Sequence, residues 1–457
     1  MTEQVVKKKK SIIMTEGPIA GPMLRFILPL IGSSLFQQLY NTVDFLFVGN
    51  VMTKTSAAAV GASSTLIAIT IGLFSGISVG TSVVASQAIG SNDKEKGEKV
   101  IHTSVAFGII GGLIIMVLGI IFAPGILGIL RTPTEVMPEA VTYIRIYLIS
   151  VPMLVFYNMV CGGVRASGDS KTPFTVLVIC GFLNVVMDYL LIVIIPLGVA
   201  GVSIATAITQ SVSAVLIYRK AASPDQELRL SLKKLKIDKD ILKAVLRIGL
   251  PAGLQTIIIT FSNVMVQYYI NSFGETSVAA FAAYYKVENL FWLPIVAFGQ
   301  AATTFSGQNF GAGKYRRIRK GALINVLMGV GTILVIMALI LSFPRTVFTW
   351  FIKDQDVVTE ALKIAWVSFP LYWIYPILEV VGGFVRGMGY SISSMAIVIT
   401  SQCVIRVALL AIFSRVFGTI EGLAWVYPIS WACAAISFCL VFVYLINKFI
   451  RQNPDCE

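Results

Sequence analysis

Long apolar stretches recur along the whole chain, and they restrict its fold more than any other feature of the sequence. A helix needs about 20 consecutive, mostly apolar residues to cross the hydrocarbon core of a bilayer. Hydrophobic residues make up 56% of the 457 residues and charged residues only 13%, a composition that fits lipid as the solvent. We predict twelve spans, at residues 24–48, 57–88, 100–122, 140–163, 173–195, 199–218, 248–270, 278–307, 321–343, 361–384, 392–413 and 422–447.

Basic residues beside these spans predict their orientation. If the N-terminus is cytoplasmic, most of the 36 Lys and Arg residues lie at cytoplasmic ends of spans, as the positive-inside rule requires. The first span follows Lys7 to Lys10 without a convincing small-residue cleavage site, so we interpret it as a retained helix and not as a signal peptide. Both termini are therefore predicted to lie in the cytoplasm.

The net charge of +13 indicates membrane lipid as a partner. Basic residues cluster next to spans, in the segment 219–247 and again between Lys314 and Lys320. Clusters in this position attract anionic headgroups. We therefore expect lipid contacts and no nucleic-acid partner.

Several motifs of metal sites and enzymes are absent from the sequence. The six cysteines show no CxxC spacing and His102 is the only histidine, so we predict no transition-metal site. No GxxxxGK[ST] string occurs, which argues against ATP as the energy source. Because no pairing of a nucleophile with a base is visible either, we predict neither enzymatic activity nor a cofactor.

The second half of the chain repeats the first at an offset of 221 or 222 residues. Chance matches do not hold one offset over about 200 residues, so the repeat is real. The matching residues are Arg25 with Arg247, Pro29 with Pro251, Asn41 with Asn263, Gln87 with Gln308, Gly90 with Gly311, the run Val164, Arg165, Gly168 with Val385, Arg386, Gly389, and Gly201 with Gly422.

Six spans per half is an even number, so both halves enter the membrane from the same side and form a parallel repeat. We predict an all-α membrane protein of twelve transmembrane helices in two six-helix lobes, related by a pseudo-twofold axis along the membrane normal. The N-terminal lobe takes residues 1–218 and the C-terminal lobe 248–447, with a cytoplasmic linker at 219–247 and a cytoplasmic tail at 448–457. Transporters of this plan bind substrate between the lobes.

Acidic residues inside spans are candidate functional residues, because a charge at the bilayer centre costs about 2.5 to 3.5 kcal/mol on insertion scales. In span 1, Asp44 shares a polar stripe with Gln37, Tyr40 and Asn41. A stripe of this kind must face protein or water.

Spans 5 and 6 carry more polar side chains. Asn184 and Asp188 are four residues apart and project from one face of span 5, while Thr206 opens a polar stripe in span 6. Two carboxylates, an amide and a hydroxyl suit a hard cation, and they suit a shared proton equally well. A second interpretation stays open, in which Asp44 and Asp188 only fix helix packing.

Glu288 in span 8 and Glu379 in span 10 form a second candidate set, together with Arg406 in span 11. Lys286 and Arg406 are available as partners for these acids, so structural ion pairs and ligand binding are both open. Aromatic residues of the same half favour either a cavity for cationic substrates or ordinary core packing. The set is: Tyr284, Tyr285, Trp292, Trp366, Tyr372, Trp373 and Tyr375.

Pro29 and Pro251 stand at equivalent repeat positions in spans 1 and 7. Each removes a helix hydrogen bond, so its helix can bend there. Two interpretations stay open, a bend that links ion binding to substrate release and a static kink.

Taken together, these motifs resemble the multidrug and toxic compound extrusion (MATE) family over nearly the whole chain. They are Pro29, the run LFQQLYNTVDFLFVG from Leu35, the NxxxD pattern ending at Asp188, Thr206, and the VRxxG turns of both halves. The acid of span 1 with the pair of span 5 is similar to the prokaryotic DinF-type branch. That resemblance implies a cation site at Asp44, Asn184, Asp188 and Thr206. A NorM-type site in the second lobe is in doubt because residues 251–270 contain no acid, although Glu379 could keep part of it.

The resemblance implies a monomeric antiporter in a bacterial or archaeal cytoplasmic membrane. Na+ or H+ would enter while amphipathic, often cationic, organic compounds leave. The alternative within transport is a flippase for lipid-linked precursors, which predicts a broad basic cavity. Yet Lys286 and Arg406 are the only basic residues placed within spans and not at or near their ends. A receptor or scaffold without transport would leave the polar stripes without a task.

Overall fold

The computed structural model describes residues 13–224 and 226–454, apart from the side chain of Phe45, and the regular elements of these residues are helical. Lys7 to Lys10 and Cys456 lie outside the described residues. The helices are α1 (Ala20–Val51), α2 (Lys54–Gly90), α3 (Lys94–Ile129), α4 (Met137–Ala166), α5 (Lys171–Asp188), α6 (Val199–Ala221), α7 (Lys239–Asn271), α8 (Glu275–Gly311), α9 (Tyr315–Ser342), α10 (Pro344–Thr349), α11 (Gln355–Ser368), α12 (Ile374–Gly387), α13 (Ser391–Val398), α14 (Arg406–Val416), α15 (Ile420–Ala424) and α16 (Val426–Gln452).

The long helices follow the predicted spans. Within the described residues, nine helices are long and apolar enough to cross a membrane, and a bent pair of helices makes ten. The two remaining predicted spans coincide with α1 and α8, which are 32 and 37 residues long. These lengths exceed the roughly 20 residues that a span requires.

The predicted span 361–384 is not one straight helix. It is divided into the segments Gln355–Leu371 and Ile374–Gly387, which meet at an angle of 52°. Pro370 lies in the 3-10 turn at the break, and it has no amide hydrogen with which to continue the helical hydrogen bonds. The predicted span at 361–384 therefore corresponds to a bent pair of helices, with the proline at the bend.

Each VRxxG run ends a helix with the same turn. Gly168 and Gly389 adopt left-handed backbone, with φ of 81° and 92°, which only glycine takes without strain. The amide of Gly168 donates to the carbonyl of Arg165 at 2.9 Å, and that of Gly389 to Arg386 at 2.8 Å. The sequence repeat is therefore also a repeat of local structure.

The described part of the chain forms two compact units, of which the first contains Leu28 to Gly249. In this unit α4 packs against α2, α3 and α6. The segment between α6 and α7 folds onto the same unit, since Leu230 is buried and the amide of Ser231 donates to His102 Nε2 at 3.1 Å. The connection is thus anchored by specific contacts.

The second unit contains Met14 to Ile27 and the chain from Leu250 onward. Here α12 packs against α8, α9 and α16. Arg317 at the start of α9 holds the N-terminal segment by donating to the carbonyls of Glu16 at 3.0 Å and Gly17 at 2.9 Å. These two units are defined by contacts between residues, whereas the predicted lobes are defined by the spans that they contain. The bounds of the lobes therefore stay a prediction.

Two glycines allow helices to approach closely inside the first unit. A Cβ on Gly80 of α2 would lie 2.8 Å from the backbone nitrogen of Gly249 at the start of α7, and a Cβ on Gly249 would lie 2.6 Å from the Cα of Ile77. Small residues at helix crossings are the usual means of tight packing in membranes. This crossing therefore tolerates no side chain on either helix.

We predict that Gly80→Ala lowers the melting temperature of the purified protein in detergent. The new methyl group meets backbone atoms that cannot rotate away, and overpacking of this kind costs about 1 to 3 kcal/mol. Gly331→Ala on α9 is the matched control, because a Cβ there meets no atom within 4 Å. Equal melting temperatures of the two variants would contradict the close crossing.

Candidate cation site

Close packing of α1 on α5 determines the positions of two aspartates along these helices in the first unit. Gly181 has no side chain, which leaves room for the ring of Phe36, and a Cβ at this position would collide with that ring. Asp44 follows Phe36 by eight residues and Asp188 follows Gly181 by seven. At 1.5 Å per residue both aspartates stand roughly 11 to 12 Å further along their helices. The packing thus brings them to the same level.

The carboxyl groups of Asp44 and Asp188 are close enough to interact directly with each other. Only 1% of Asp188 is exposed, and neither of its oxygens accepts a hydrogen bond from a donor within the described residues. Neither aspartate takes part in any ion pair among the described residues. Two carboxyl groups so placed attract one another only if a proton or another cation lies between them.

Asn184 adds an amide oxygen to this pair. The residue is fully buried, and its Nδ2 donates to Thr209 Oγ1 at 3.5 Å. Its Oδ1 has no donor among the described residues. Buried polar atoms are nearly always paired, so an unpaired oxygen beside two carboxyl groups is what a site for a hard cation requires.

Thr206 is less closely tied to the other predicted ligands. Its hydroxyl donates to the carbonyl of Val202 at 3.1 Å, one turn back in α6. The threonine that contacts Asn184 is Thr209, one turn further on. The lone pairs of Thr206 Oγ1 still face away from that bond, so the prediction for Thr206 stays a prediction.

Tyrosines of two helices surround the carboxyl pair. Tyr40 and Tyr143 are close enough to both aspartates to interact with them electrostatically. Tyr147 stacks on Tyr143, with ring centroids 6.4 Å apart. The two residues of α4 are missing from the sequence-based site, although their spacing of four residues was a usable signal. Gln37 and Asn41, from the predicted stripe, are exposed.

Pro29 and Pro251 lie inside α1 and α7, as predicted. The helix α1 leaves the second unit at Ile27 and belongs to the first from Leu28, and α7 changes unit after Gly249. Each proline therefore follows the change of unit by only a residue or two. A helix bends most easily at proline, so these are the points where α1 and α7 can flex.

The acids of the second unit have other partners than the sequence indicated. Glu379 pairs with Arg386, with Nη2 and Oε1 2.7 Å apart, and not with Arg406 or Lys286. The two residues are seven apart on α12 and share one face, which explains the pairing. Glu288 accepts hydrogen bonds from the hydroxyls of Tyr284 at 3.4 Å and Tyr372 at 3.2 Å.

A family model, MatE, matches the chain twice, at residues 29–190 and 251–412. One match falls in each half of the sequence repeat. The two matches begin at Pro29 and at Pro251, so the repeat and the family pattern coincide.

Known relatives match the chain from end to end. YoeA of Bacillus subtilis, named a probable multidrug resistance protein, is 27% identical and covers 99% of this chain and 98% of its own. MepA of Staphylococcus aureus, named a multidrug export protein, is 24% identical over 98% of this chain and 99% of its own. An outward-facing multidrug resistance MATE transporter of known structure has a TM-score of 0.91 at 23% identity, covering 97% and 99% of the two chains. This likeness confirms the predicted all-α, two-lobed fold.

We predict that Glu379→Gln and Arg386→Gln each lower the melting temperature, while the double variant loses less than the sum. The two side chains are 21% and 11% exposed, so removing one leaves a poorly hydrated charge at a cost of about 1 to 2 kcal/mol. Melting curves of the three variants in detergent measure this. A ligand role would instead show as lost transport at an unchanged melting temperature.

Proposed function

We propose, from the premise that this chain belongs to the MatE family, that it exports amphipathic, often cationic, organic compounds in exchange for Na+ or H+. The chain is a multi-pass membrane protein of a transporter family, not of an enzyme family. Two relatives that match it from end to end are named for multidrug resistance or multidrug export. We therefore propose small organic molecules as the substrates.

The single observation that carries the coupling mechanism is the pair of half-buried Asp44 and fully buried Asp188, which has no basic partner within the described residues. Asn184, whose Oδ1 has no donor among the described residues, stands one turn before Asp188 on α5. A cation arriving from outside would replace repulsion between two carboxylates by attraction to both. Because the empty site contains two carboxylates that repel each other, binding of a cation is favourable.

Asp44 stands on α1, the helix that carries Pro29 at its change of unit. Binding a cation at Asp44 favours one position of the part of α1 that follows Pro29. The helix can then change its bend at Pro29. Export then follows because substrate and cation prefer different bends of the same helix. The membrane potential adds about 2.3 kcal/mol per charge per 100 mV to inward cation movement.

The remaining parts of the proposal follow from the same scheme. The transporter acts as a monomer in the cytoplasmic membrane of a bacterium or archaeon, with both termini inside. It uses no cofactor other than the coupling ion, and lipid surrounds its lobes at residues 1–218 and 248–447. A flippase function is not favoured, because a lipid-linked pyrophosphate requires several cations together in the cavity.

We predict that Asp188→Asn lowers drug export at least tenfold in cells loaded with a fluorescent organic cation. Asparagine keeps the shape of the side chain but can neither hold a proton nor neutralise a sodium ion. Asp240→Asn is the matched control, because Asp240 is exposed in the first turn of α7 and far along the sequence from the site. Efflux is recorded while the Na+ gradient and the pH gradient are varied independently.

Each outcome of this experiment has one meaning. Loss of export in Asp188→Asn alone supports the coupling site, and the gradient that drives the wild type identifies the ion. Equal export by the variant and the wild type under every gradient would show that the site is elsewhere. Absence of export by the wild type itself would refute the proposed function.

A further inference from the structure

A cavity of about 420 Å³ lies inside the second unit. Its volume is in the range of sites for drug-sized ligands. It combines one carboxylate, one guanidinium, several amides and a wall of aromatic rings. The lining residues that matter for its chemistry are Tyr285, Glu288, Tyr372, Gln402, Arg406 and Trp431.

Arg406 is a buried cation that faces only neutral acceptors. It is 4% exposed, and its Nε and Nη2 donate to Ser430 Oγ, both at 3.3 Å. Nη2 also reaches Gln402 Oε1 at 3.4 Å, and the guanidinium lies 5.3 Å from the centre of the Tyr427 ring. No carboxylate of the described residues lies within 4.0 Å of it, so none pairs with it directly, and Glu288 of the same cavity interacts with it only electrostatically. A buried charge in this state favours an anionic ligand.

Glu288 presents one oxygen to the cavity without a donor. The hydroxyls of Tyr284 and Tyr372 both donate to Oε1. Oε2 has no hydrogen-bond partner among the described residues, and the side chain lines the cavity together with Arg406. Since the two charged groups do not pair directly, a ligand with both charges fits between them better than either charge alone.

Aromatic rings form the rest of the wall. The hydroxyls of Tyr285 and Tyr427 are 2.7 Å apart and hold each other in place. Tyr372 packs edge-on against Trp431, with centroids 4.8 Å apart. Rings fixed in this way provide flat apolar surface for an aromatic ligand body.

The repeat supports a different task for this cavity than for the cation site. A π-helical turn adds one residue to a helix, and this turn ends directly before Arg406 in the second half but begins directly after Asp188 in the first. The residues that precede the turn in the first half therefore match residues that follow the turn in the second half, at an offset of 222. This is also the offset of the two prolines, and Arg406 takes the place of Asn184. Leu410 takes the place of Asp188. The second half thus holds a cation where the first holds a ligand for cations.

We propose that the cavity of the second unit binds a zwitterion, with its carboxylate on Arg406, its protonated amine on Glu288 and its aromatic body between the rings. As a statement about exported substrates, this rests on the proposed function. Binding to the purified protein tests it separately, since binding requires no transport.

The test measures the affinity of the purified protein for three matched probes by quenching of tryptophan fluorescence. They are an aminomethyl-naphthoic acid, its methyl ester and its N-acetyl derivative, which lack the negative and the positive charge respectively. The zwitterion is expected to bind at least tenfold more tightly than either derivative, equal to about 1.4 kcal/mol for each charged contact. Equal affinities for the three probes would overturn the proposal, whatever any variant does.

Variants assign each charge to its residue. Arg406→Gln is expected to remove the preference for the acid over the ester, and Glu288→Gln the preference for the amine over the N-acetyl form. Lys286→Gln, an exposed lysine of the same helix that does not line the cavity, is expected to keep both preferences. Retained preferences in Arg406→Gln and Glu288→Gln would overturn the assignment.

Export of a simple organic cation by the wild type separates the two proposals. If this export fails while the zwitterion is still preferred in binding, only the proposed function is refuted. If the cation is exported but the zwitterion is not preferred, only the present inference is refuted.

Discussion

Two carboxyl groups that meet inside the first unit are the interaction on which the rest of the structure depends. Two carboxylates held close together repel each other strongly away from water, and a cation between them turns this repulsion into attraction to both. Lysine and arginine of the described residues do not fill that place. A structural ion pair would be permanent, whereas under the proposed function the energy of this arrangement changes whenever a cation binds or leaves. It is therefore suited to drive a conformational change and poorly suited to fix one.

The two halves share a framework but not a chemistry. The prolines of α1 and α7 and the VRxxG turns recur at an offset of 221 or 222, because they determine how each half folds and where it bends. Some polar residues inside the helices recur, such as Asn41 with Asn263, but the residues of the candidate cation site do not. The first half gathers acids and an amide, and the second gathers Arg406, Glu288 and aromatic rings around a cavity. Duplication of a fold leaves side chains free to diverge where they do not support packing.

The fold could be predicted from the sequence because both of its causes are local and periodic. Lipid requires long apolar helices, and the recurrence of proline, glycine and polar residues at an offset of 221 or 222 indicates two related halves. The site was harder, since a polar stripe shows that a helix faces protein or water but not which helix it faces. Contact of Asp44 with Asp188 depends on the fit of Phe36 to Gly181, which no periodicity reveals. The partner of Glu379 was within reach of the sequence, because Arg386 is two turns further on the same helix, but it stands outside the stretch counted as membrane span.

The most direct test of this account counts the cations that the purified protein binds. Difference titration compares the wild type with the double variant Asp44→Asn, Asp188→Asn, recording proton uptake with and without Na+. The account predicts that the wild type binds one more cation per chain than the variant, either a proton or a sodium ion that displaces it. Equal uptake by the two proteins under both conditions would contradict it.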